Sequence, residues 1–417
     1  MPHEPMNEAL ASVRVLHLLP HQGVGGLQRS VIDLVRHERM DGATDEIVLT
    51  ERALDMDGDF MAPATPVHFL GLVGERLATR ATRLADLAAS RGARVIHAYT
   101  TADLLLAAAA CKGRQRPRLV ATLFERPSAA GFLGRRRLRR ALETAHEVFV
   151  PNPALRADWQ AAGREPETRL AAVDIQRFHP QPGDSTWRNV RLEDPTALLV
   201  GCMMRATEDK SPEVLIEAVG RRHAAGRPTA LLLVGDGPRF DELKARSKES
   251  TTLHVRRRVL DAPGFYGRID VFALQCQDEL IPMSLVEALA CGRPAVVADS
   301  GAVAELVGPD AATFVPHGEV DAVIAALDAL ESRTERQERG FAARQRAVER
   351  HALGRLRAEL GPDSRHADLG GPDHAMPPSG EAKGRPGPLE RASVECPGPL
   401  KGCLWDLDPA LWEPPHA

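Results

Sequence analysis

The chain has 417 residues, of which 43% are hydrophobic and 26% are charged, and its formal net charge at pH 7 is -4. This length is enough for two domains of ordinary size, each with its own core. The slightly acidic balance argues against a dedicated nucleic-acid-binding protein, which usually carries an excess of basic residues. The six cysteines form no CxxC pair and show no zinc spacing, and four of them lie in apolar runs. These are predicted to be buried thiols in a reducing compartment.

The N-terminal stretch MPHEPMNEALAS is polar and acidic, which is not typical of a secretory signal peptide. No uninterrupted apolar run approaches the ~20 residues that a membrane-spanning helix needs. The sequence therefore predicts a soluble, cytoplasmic protein, with peripheral attachment to the inner face of the membrane left open.

In the first part of the chain, short apolar runs alternate with segments of helical spacing. The runs that predict strands are VRVLHLL (13–19), EIVLT (46–50), RVIHA (94–98), RLVATLF (118–124) and EVFVP (147–151). Between them, helices are predicted at RLATRATRLADLAAS (76–90) and NPALRADWQAAG (152–163). Continuous apolar strands joined by helices indicate a parallel sheet that is covered on both faces.

The alternation pauses at QPGDSTWRNVRLEDP (181–195), a segment rich in Pro, Gly and Asp that is predicted to be a linker. It resumes with TALLVGCMM (196–204), ALLLVG (230–235), DVFALQ (270–275), PAVVAD (294–299) and AATFVP (311–316). The predicted fold class is therefore α/β, with two doubly wound Rossmann-like domains, residues 1–180 and 196–360, facing each other across a cleft. From 361 to 417 Gly and Pro dominate, which predicts a disordered tail.

Two glutamates, Glu279 and Glu287, flank a predicted helix start in QDELIPMSLVEALACG (277–292). The spacing of Ser284 and Glu287 fits a capping box, in which the glutamate bonds back to the start of the helix. Glu279 follows a strand at the end where open α/β sheets bind ligands, beside backbone N–H groups that attract anions. A carboxylate in that position is explained if it contacts hydroxyls, such as those of a sugar or a ribose.

A cationic loop, RATEDKSP, runs from Arg205 to Pro212 after the strand predicted over 196–204. The chain has only six lysines but 47 arginines. A lysine at position 210 is therefore less readily explained as a surface residue without a specific role. One interpretation is that Arg205 and Lys210 are exposed loop residues without a binding role. The functional interpretation is a phosphate clamp, with Arg205 as a planar fork and Lys210 as a point charge.

These residues resemble a known family. Arg205 and Lys210, VGDGP (234–238) and the E-x7-E pair followed by ALACGRPAVV are similar to retaining glycosyltransferases of family 4, which have the GT-B fold. GVGGLQRSVIDLV (23–35) resembles the glycine-rich loop and first helix of that family. AAVDIQRFHP (171–180) resembles its interdomain segment, with Ala172 in place of glycine. The similarity covers about residues 13 to 350.

The resemblance implies an enzyme that transfers a sugar from a UDP-, GDP- or ADP-sugar to a glycan, lipid-linked or small-molecule acceptor, with retention of anomeric configuration. It implies that Glu287 holds the ribose hydroxyls and that Glu279 contacts the donor sugar. Arg205 and Lys210 would neutralise the diphosphate and, with Glu279, form the implied catalytic group. Further implied donor contacts are the backbone of Met283, Ser284 and Leu285 and the glycines Gly25 and Gly26.

The resemblance implies no cofactor and no metal ion. The stretch DMDGD (55–59) looks like a metal-binding loop, but it lacks the ligand spacing and the terminal glutamate of an EF-hand. It is predicted to be an ordinary loop.

The N-terminal half departs from the family at one position. Family members usually carry a histidine in a Thr-x-His triplet, and the matching triplet here ends in Phe124. Three residues could replace that histidine: His97, Tyr99 and His21. The alternative interpretation for each of them is a purely structural role. The departure leaves a second hypothesis open, a nucleotide-sugar-binding protein of the same fold with weak or no transferase activity.

A basic cluster, RRRLRR, begins at Arg135 and ends at Arg140 within a helical pattern. It is interpreted as a solvated helix face. The alternative is a contact with anionic lipid or with an acceptor phosphate, since basic residues near a charged membrane surface contribute about 1 kcal/mol each.

Overall fold

The computed structural model describes residues 14–20, 25–40, 44–50, 65–71, 75–112, 116–128, 131–181, 190, 192–257 and 261–354. The predictions for His21, for the DMDGD loop and for the tail from residue 361 lie outside these ranges. So does most of the predicted linker.

The first domain is built on a parallel sheet. Its strands are β1 (Val15–Leu19), β2 (Glu46–Leu49), β3 (Val67–Phe69), β4 (Val95–Ala98), β5 (Arg118–Thr122), β6 (Glu147–Val150) and β7 (Glu167–Thr168). Within the described residues they are ordered β3-β2-β1-β4-β5-β6-β7. The helices are α1 (Gly26–Met40), α2 (Leu77–Arg91), α3 (Thr101–Ala110), α4 (Gly131–Thr144) and α5 (Arg156–Ala161).

Helix α2 shows how the sequence forms these elements. Ala81, Leu84 and Ala88 are spaced by three and four residues, so they share one face, and all three are buried. The helix ends where Gly92 takes a left-handed conformation with φ of 63°, which a residue with a Cβ rarely adopts. The predicted helix over 76–90 is thereby confirmed within one residue at each end.

The second domain repeats this architecture. Its strands are β8 (Leu198–Met203), β9 (Thr229–Val234), β10 (Leu253–Arg256), β11 (Val271–Leu274), β12 (Ala295–Ala298) and β13 (Thr313–Val315). In the described part of the chain they are ordered β10-β9-β8-β11-β12-β13. The helices are α6 (Pro212–Ala224), α7 (Phe240–Arg246), α8 (Ala262–Arg268), α9 (Met283–Ala290), α10 (Ala302–Val307), α11 (Val320–Ala329) and α12 (Arg333–His351). All pairings are parallel, and every residue of β8, β9, β11 and β12 is buried, as in a sheet covered on both faces.

The two sheets place their ligand-binding edges in equivalent positions. In each sheet the order of strands reverses beside the first strand, between β1 and β4 and between β8 and β11. A crevice forms at such a switch point outside the carboxyl ends of the strands. The predicted α/β fold with two doubly wound domains is confirmed.

Helix α12 fastens the segment that joins the two sheets. Ala171, Val173 and Phe178 pack in the core of the second domain. The backbone N–H of Val173 donates to the carbonyl oxygen of His351 at 2.7 Å, and the guanidinium of Arg344 donates to the carbonyl oxygens of Phe178 and Ala290. The interdomain segment is therefore held between α12 and the second sheet.

Candidate functional site

A cavity of about 690 Å³ lies between the two domains at the carboxyl ends of their strands. This volume is in the range of small-molecule sites. The first domain lines it with Gly25, Gly26, Gln28 and Arg29, which lie at the start of α1. The second domain contributes, among others, Arg205, Lys210, Glu279, Met283, Ser284 and Glu287. Eight of the nine residues predicted for the site thus line one cavity; the ninth, Leu285, is buried in the core beside it.

Lys210 and Glu279 form an ion pair inside the cavity. Lys210 ends a short 3-10 turn (Glu208–Lys210) after β8, and Glu279 follows β11, so the two lie on either side of the switch point. The ammonium also lies 3.3 Å from the Cys276 sulfur. Burial lowers the pKa of Lys210, but the adjacent Glu279 carboxylate outweighs burial and raises the pKa above its usual value. Lys210 therefore remains a cation throughout the physiological pH range.

The turn that carries Lys210 is sharply bent. Ser211 follows it with φ of 41°, in the left-handed region that residues other than glycine seldom adopt. Its hydroxyl lies 3.1 Å from His317 Nε2, and Pro212 then begins α6. The bend directs Lys210 towards Glu279 while α6 packs back on the sheet.

Arg205 supplies a second cation to the cavity. It follows β8 directly and its side chain is exposed. Among the ion pairs of the described residues, none involves Arg205. An incoming anion could therefore bind its guanidinium without breaking an ion pair within the described part of the chain.

The VGDGP motif supports the loop that carries Arg205. A Cβ atom at Gly235 would lie 1.8 Å from the carbonyl oxygen of Met204, and one at Gly237 would lie 2.8 Å from that of Ala206. Gly237 also has φ of 146°. Both positions need glycine because the loops after β8 and β9 pack backbone against backbone.

Glu287 lies one turn inside α9, and its side chain is 2% exposed. The Nη1 atom of Arg29 donates to both carboxylate oxygens, at 2.9 and 2.8 Å, and the Tyr266 hydroxyl donates to Oε2 at 2.7 Å. The capping-box interpretation is wrong, because α9 begins at Met283 and the Glu287 carboxylate contacts Arg29 and Tyr266 instead. Arg29 was missed by the sequence analysis, although it lies one turn after the glycine pair.

Gly26 lies where the two domains touch. A Cβ atom there would be 2.9 Å from Cγ and 3.0 Å from Cβ of Met283 at the start of α9. At Gly25 it would meet the flexible end of the Gln28 side chain, at 2.5 Å. The absence of a side chain at Gly26 thus lets the first turns of α1 and α9 approach each other.

Two of the backbone amides predicted to bind phosphate already have partners. The N–H of Met283 donates to the carbonyl oxygen of Ile281, and that of Leu285 donates to the carbonyl oxygen of Pro282, both at 2.9 Å. Ser284 lines the cavity between them.

Asn152 ties the first domain to the loop that carries Glu279. Its side chain is fully buried, and its Nδ2 donates to the carbonyl oxygens of Leu280 and Ala302. On the Glu279 side, the Ser300 hydroxyl donates to the carbonyl oxygen of Glu279 at 3.2 Å. The backbone around Glu279 is thereby held from both domains.

His97 and Tyr99 belong to a chain of hydrogen bonds in the first domain. His97 Nε2 lies 2.8 Å from the Thr122 hydroxyl, and the Tyr99 hydroxyl lies 3.2 Å from His97 Nδ1 and 2.7 Å from His17 Nδ1. Burial, and after it the neighbouring His17, lowers the pKa of His97 well below its usual value, so the ring is neutral at pH 7. Phe124 packs against Tyr99 in a small apolar cluster. Neither His97, Tyr99 nor Phe124 is among the described residues that line the cavity.

Comparison with known proteins finds similarity to glycosyltransferases, with the family match in the second domain. Residues 194–332 match the family model described as Glycosyl transferases group 1. The GDP-mannose-dependent alpha-(1-6)-phosphatidylinositol monomannoside mannosyltransferase of Mycolicibacterium smegmatis is 29% identical over 174 residues, which cover 38% of this chain and 45% of that protein. A GDP-mannose-dependent monoacylated alpha-(1-6)-phosphatidylinositol monomannoside mannosyltransferase of Corynebacterium glutamicum is 28% identical over 206 residues, 45% of this chain and 54% of that protein. The chain thus spans about half the length of the curated relatives it matches.

Solved structures match over a longer range. Alr3699/HepE of Anabaena in complex with UDP and glucose has a TM-score of 0.67 and 20% identity, covering 86% of this chain and 100% of that one. WaaG, a glycosyltransferase involved in lipopolysaccharide biosynthesis, has a TM-score of 0.60 and 16% identity, with the same coverage. The chain therefore has the two-domain GT-B fold. Its second domain is similar to the group 1 glycosyltransferases over residues 194–332, a third of the chain.

No helix among the described residues combines the length and apolarity needed to cross a membrane.

Proposed function

We propose that this protein transfers a hexose from a nucleotide-diphosphate sugar to a glycan, lipid-linked or small-molecule acceptor, with retention of anomeric configuration. The observation that carries the proposal is the cavity at the two switch points, in which two carboxylates and the cations Arg205 and Lys210 converge. A nucleotide sugar presents hydroxyls and a diphosphate, so it matches both kinds of group.

The proposed binding mode assigns each part of the donor to one group. Glu287 accepts hydrogen bonds from the ribose and Glu279 from the donor sugar, while Arg205 and Lys210 face the diphosphate. When the bond between sugar and phosphate breaks, negative charge develops on the leaving diphosphate. Fixed cations stabilise that charge without reorganisation, which lowers the barrier. Lys210 suits this role because the Glu279 carboxylate keeps it protonated.

The sequence relatives favour one donor for the first tests. The curated relatives described above are named as GDP-mannose-dependent mannosyltransferases that act on phosphatidylinositol mannosides. We therefore place GDP-mannose first among donors and a lipid-linked acceptor first among acceptors. UDP-sugars stay in the comparison because Alr3699/HepE is described in complex with UDP-glucose, and ADP-sugars are included as the third donor class that the sequence leaves open. No metal ion is assigned to the reaction, and transfer is expected to persist in excess EDTA.

A lipid-linked acceptor requires access to a membrane, and α4 offers a surface for it. Leu138, Ala141 and Leu142 form the buried face of this helix. On the outside, Phe132 and Leu133 are 71% and 67% exposed. The five arginines from Arg135 to Arg140 follow them and are exposed as well. Exposed apolar residues beside cations are typical of peripheral contact with an anionic membrane, which we propose for α4.

The test combines donor binding with transfer. Glu287→Gln is expected to weaken GDP-mannose binding in calorimetry by about tenfold or more, because a hydrogen bond to a charged group contributes about 1.5–3 kcal/mol. Glu217→Gln is the matched control, since Glu217 is exposed on α6 and pairs with Arg221 there. If wild type binds none of GDP-mannose, UDP-glucose and ADP-glucose, or if Glu287→Gln binds like wild type, the proposed site is wrong. The anomeric configuration of the product, read by NMR, tests retention.

A second candidate function rests on Phe124. This residue stands where the family usually has a histidine, and it packs in an apolar cluster instead of facing the cavity. A nucleotide-sugar-binding protein without transferase activity would tolerate that change. Wild-type protein that binds donor but releases no nucleoside diphosphate with any acceptor would favour this alternative.

A further inference from the structure

Arg29 covers the Glu287 carboxylate from the opposite domain. Its Nη1 atom lies 2.9 Å from Oε1 and 2.8 Å from Oε2, and the two side chains are 12% and 2% exposed. Both residues line the cavity. The ion pair therefore occupies the place that the proposed function gives to the ribose.

The carboxylate cannot serve Arg29 and a ribose in full at the same time. It offers about four lone-pair directions. Arg29 uses two of them and Tyr266 a third, so one is left for the two hydroxyls of a ribose. Tyr266 is completely buried, and burial together with the Glu287 charge raises the pKa of its phenol well above 10, so it stays protonated and keeps donating. Of the two side chains that donate to Glu287, Arg29 is therefore the one that a ribose could displace.

A displaced Arg29 needs another anion. A charge left unpaired in a mostly buried position is strongly destabilising. Within the described residues, its Nε atom is already buried without a hydrogen-bond partner. The same cavity contains Arg205 and Lys210, where the diphosphate is proposed to bind, and Gly26 begins the helix that carries Arg29. A guanidinium pairs well with phosphate oxygens because its N–H groups form a planar fork.

Building on the proposed nucleotide-sugar site, we propose that Arg29 exchanges partners when the donor binds. It releases Glu287 to the ribose hydroxyls and pairs with the diphosphate. Arg29 is thus a donor-binding residue of the first domain, and it joins the two domains in both states. In the empty protein the link is the Glu287 carboxylate, and in the complex it is the diphosphate.

The exchange also reaches the interdomain segment. Asp33 lies one turn after Arg29 on α1, and Arg177 donates to its Oδ1 atom at 2.6 Å. Arg177 belongs to the segment that α12 holds against the second domain. The Asp33–Arg177 pair therefore links α1, the helix that carries Arg29, to the segment that joins the two domains. A movement of Arg29 that shifts α1 would be transmitted to that segment.

Calorimetry with guanosine and GDP, and with uridine and UDP in parallel, tests the exchange. Arg29→Gln removes the competitor for Glu287, so the nucleoside is expected to bind more tightly than to wild type. The diphosphate contact is lost in the same variant. The ratio of the nucleoside Kd to the nucleoside diphosphate Kd is therefore expected to fall by about tenfold, as for the loss of one charge-assisted contact.

Arg36→Gln is the matched control, because it removes the same charge from α1 two turns further along, where Arg36 pairs with Asp33. It should leave the ratio unchanged. If nucleoside and nucleoside diphosphate both bind Arg29→Gln more tightly than wild type, and by the same factor, then Arg29 only competes for Glu287 and does not bind the diphosphate. This result would overturn the exchange. Equal weakening of both with a lower Tm would make its role structural, which also overturns it. If Arg29→Gln lacks a cooperative melting transition, Arg29→Lys is expected to show both effects at smaller size. Wild type that binds none of these ligands would refute the proposed function itself, together with this inference.

Discussion

At the scale of single residues, four of the charged side chains that line the cavity are already joined in two ion pairs. Lys210 is paired with Glu279, and Arg29 with Glu287, so the proposed donor would enter among charges that are already in place. Lys210 is held in place by Glu279, and a cation that is positioned in advance stabilises developing negative charge with little reorganisation.

Lys210→Ala is expected to reduce kcat with GDP-mannose by about a hundredfold, as for the loss of one preorganised group that stabilises a developing anion. Lys244→Ala is the control: Lys244 lies in α7 and donates to the carbonyl oxygen of Val255 at 2.9 Å. Turnover is measured as release of GDP. A similar loss in both variants, or in neither, would contradict the role of Lys210.

His351 makes stability depend on pH. Its ring is 1% exposed, and Nδ1 lies 2.7 Å from the carbonyl oxygen of Ala171. The pKa of His351 is lowered from 6.5 to about 4, mainly by burial and to a smaller extent by Arg350 and Arg346, while hydrogen bonds to the backbone of Ala171 and Leu306 oppose this shift. Above pH 6.5 the ring is neutral in both the folded and the unfolded chain. As pH falls from 6.5 to about 4, the unfolded chain takes up the proton first, so the free energy of unfolding falls.

The expected loss is about 3 kcal/mol, at 1.36 kcal/mol per pKa unit. His351→Asn keeps a donor for Ala171 and removes the titration, so its unfolding free energy should vary less between pH 7 and pH 4. Denaturant unfolding at a series of pH values measures this. Parallel pH curves for the two proteins would show that His351 is not responsible.

At the scale of elements, α4 presents its apolar and basic residues on the face opposite the core. The helix begins after β5, and helix N-termini in such folds lie at the same edge as the strand carboxyl ends. Phe132 and Leu133 therefore lie at the edge of the first domain that carries the cavity. A membrane bound there would bring a lipid-linked acceptor to the site.

Wild-type protein is expected to sediment with vesicles of phosphatidylcholine and phosphatidylserine, and less so at high salt. Replacing Arg136 and Arg137 by Gln should weaken binding by about tenfold or more, at about 1 kcal/mol per arginine. Phe132→Ser should weaken it as well. Phe69→Ser is the control, because Phe69 is 64% exposed on β3, away from α4. No sedimentation of wild type, or equal loss in the control, would remove α4 from the interface.

The strands and the site differ in how far sequence reasoning could predict them. The ten apolar runs are all strands, since a buried parallel strand needs apolar residues on both faces. Strands β3, β7 and β10 were missed, because they are short and lie at sheet edges. Glu279, Lys210 and Arg205 were predictable because each follows a central strand. The Arg29–Glu287 pair joins residues 258 positions apart across the domains, and only the packing of one domain on the other reveals it.

At the scale of the whole molecule, the domains meet around the cavity through contacts of different kinds. Asn152 binds the Glu279 loop, Arg29 binds Glu287, and Gly26 touches Met283. All three involve the segment from Glu279 to Glu287, so a relative movement of the domains would displace this segment.

The close approach of Gly26 to Met283 also sets how tightly the two domains pack beside the cavity. Gly26 has no side chain that would keep the two domains apart at this point. A methyl group at Gly26 would act as a wedge, since its position is only 2.9 Å from Met283 Cγ. That methyl group fits only if the Met283 side chain shifts or if α1 and α9 move apart by a few tenths of an ångström. The need for glycine at this position therefore comes from the packing of one domain on the other and not from backbone strain, because Gly26 does not have a positive φ.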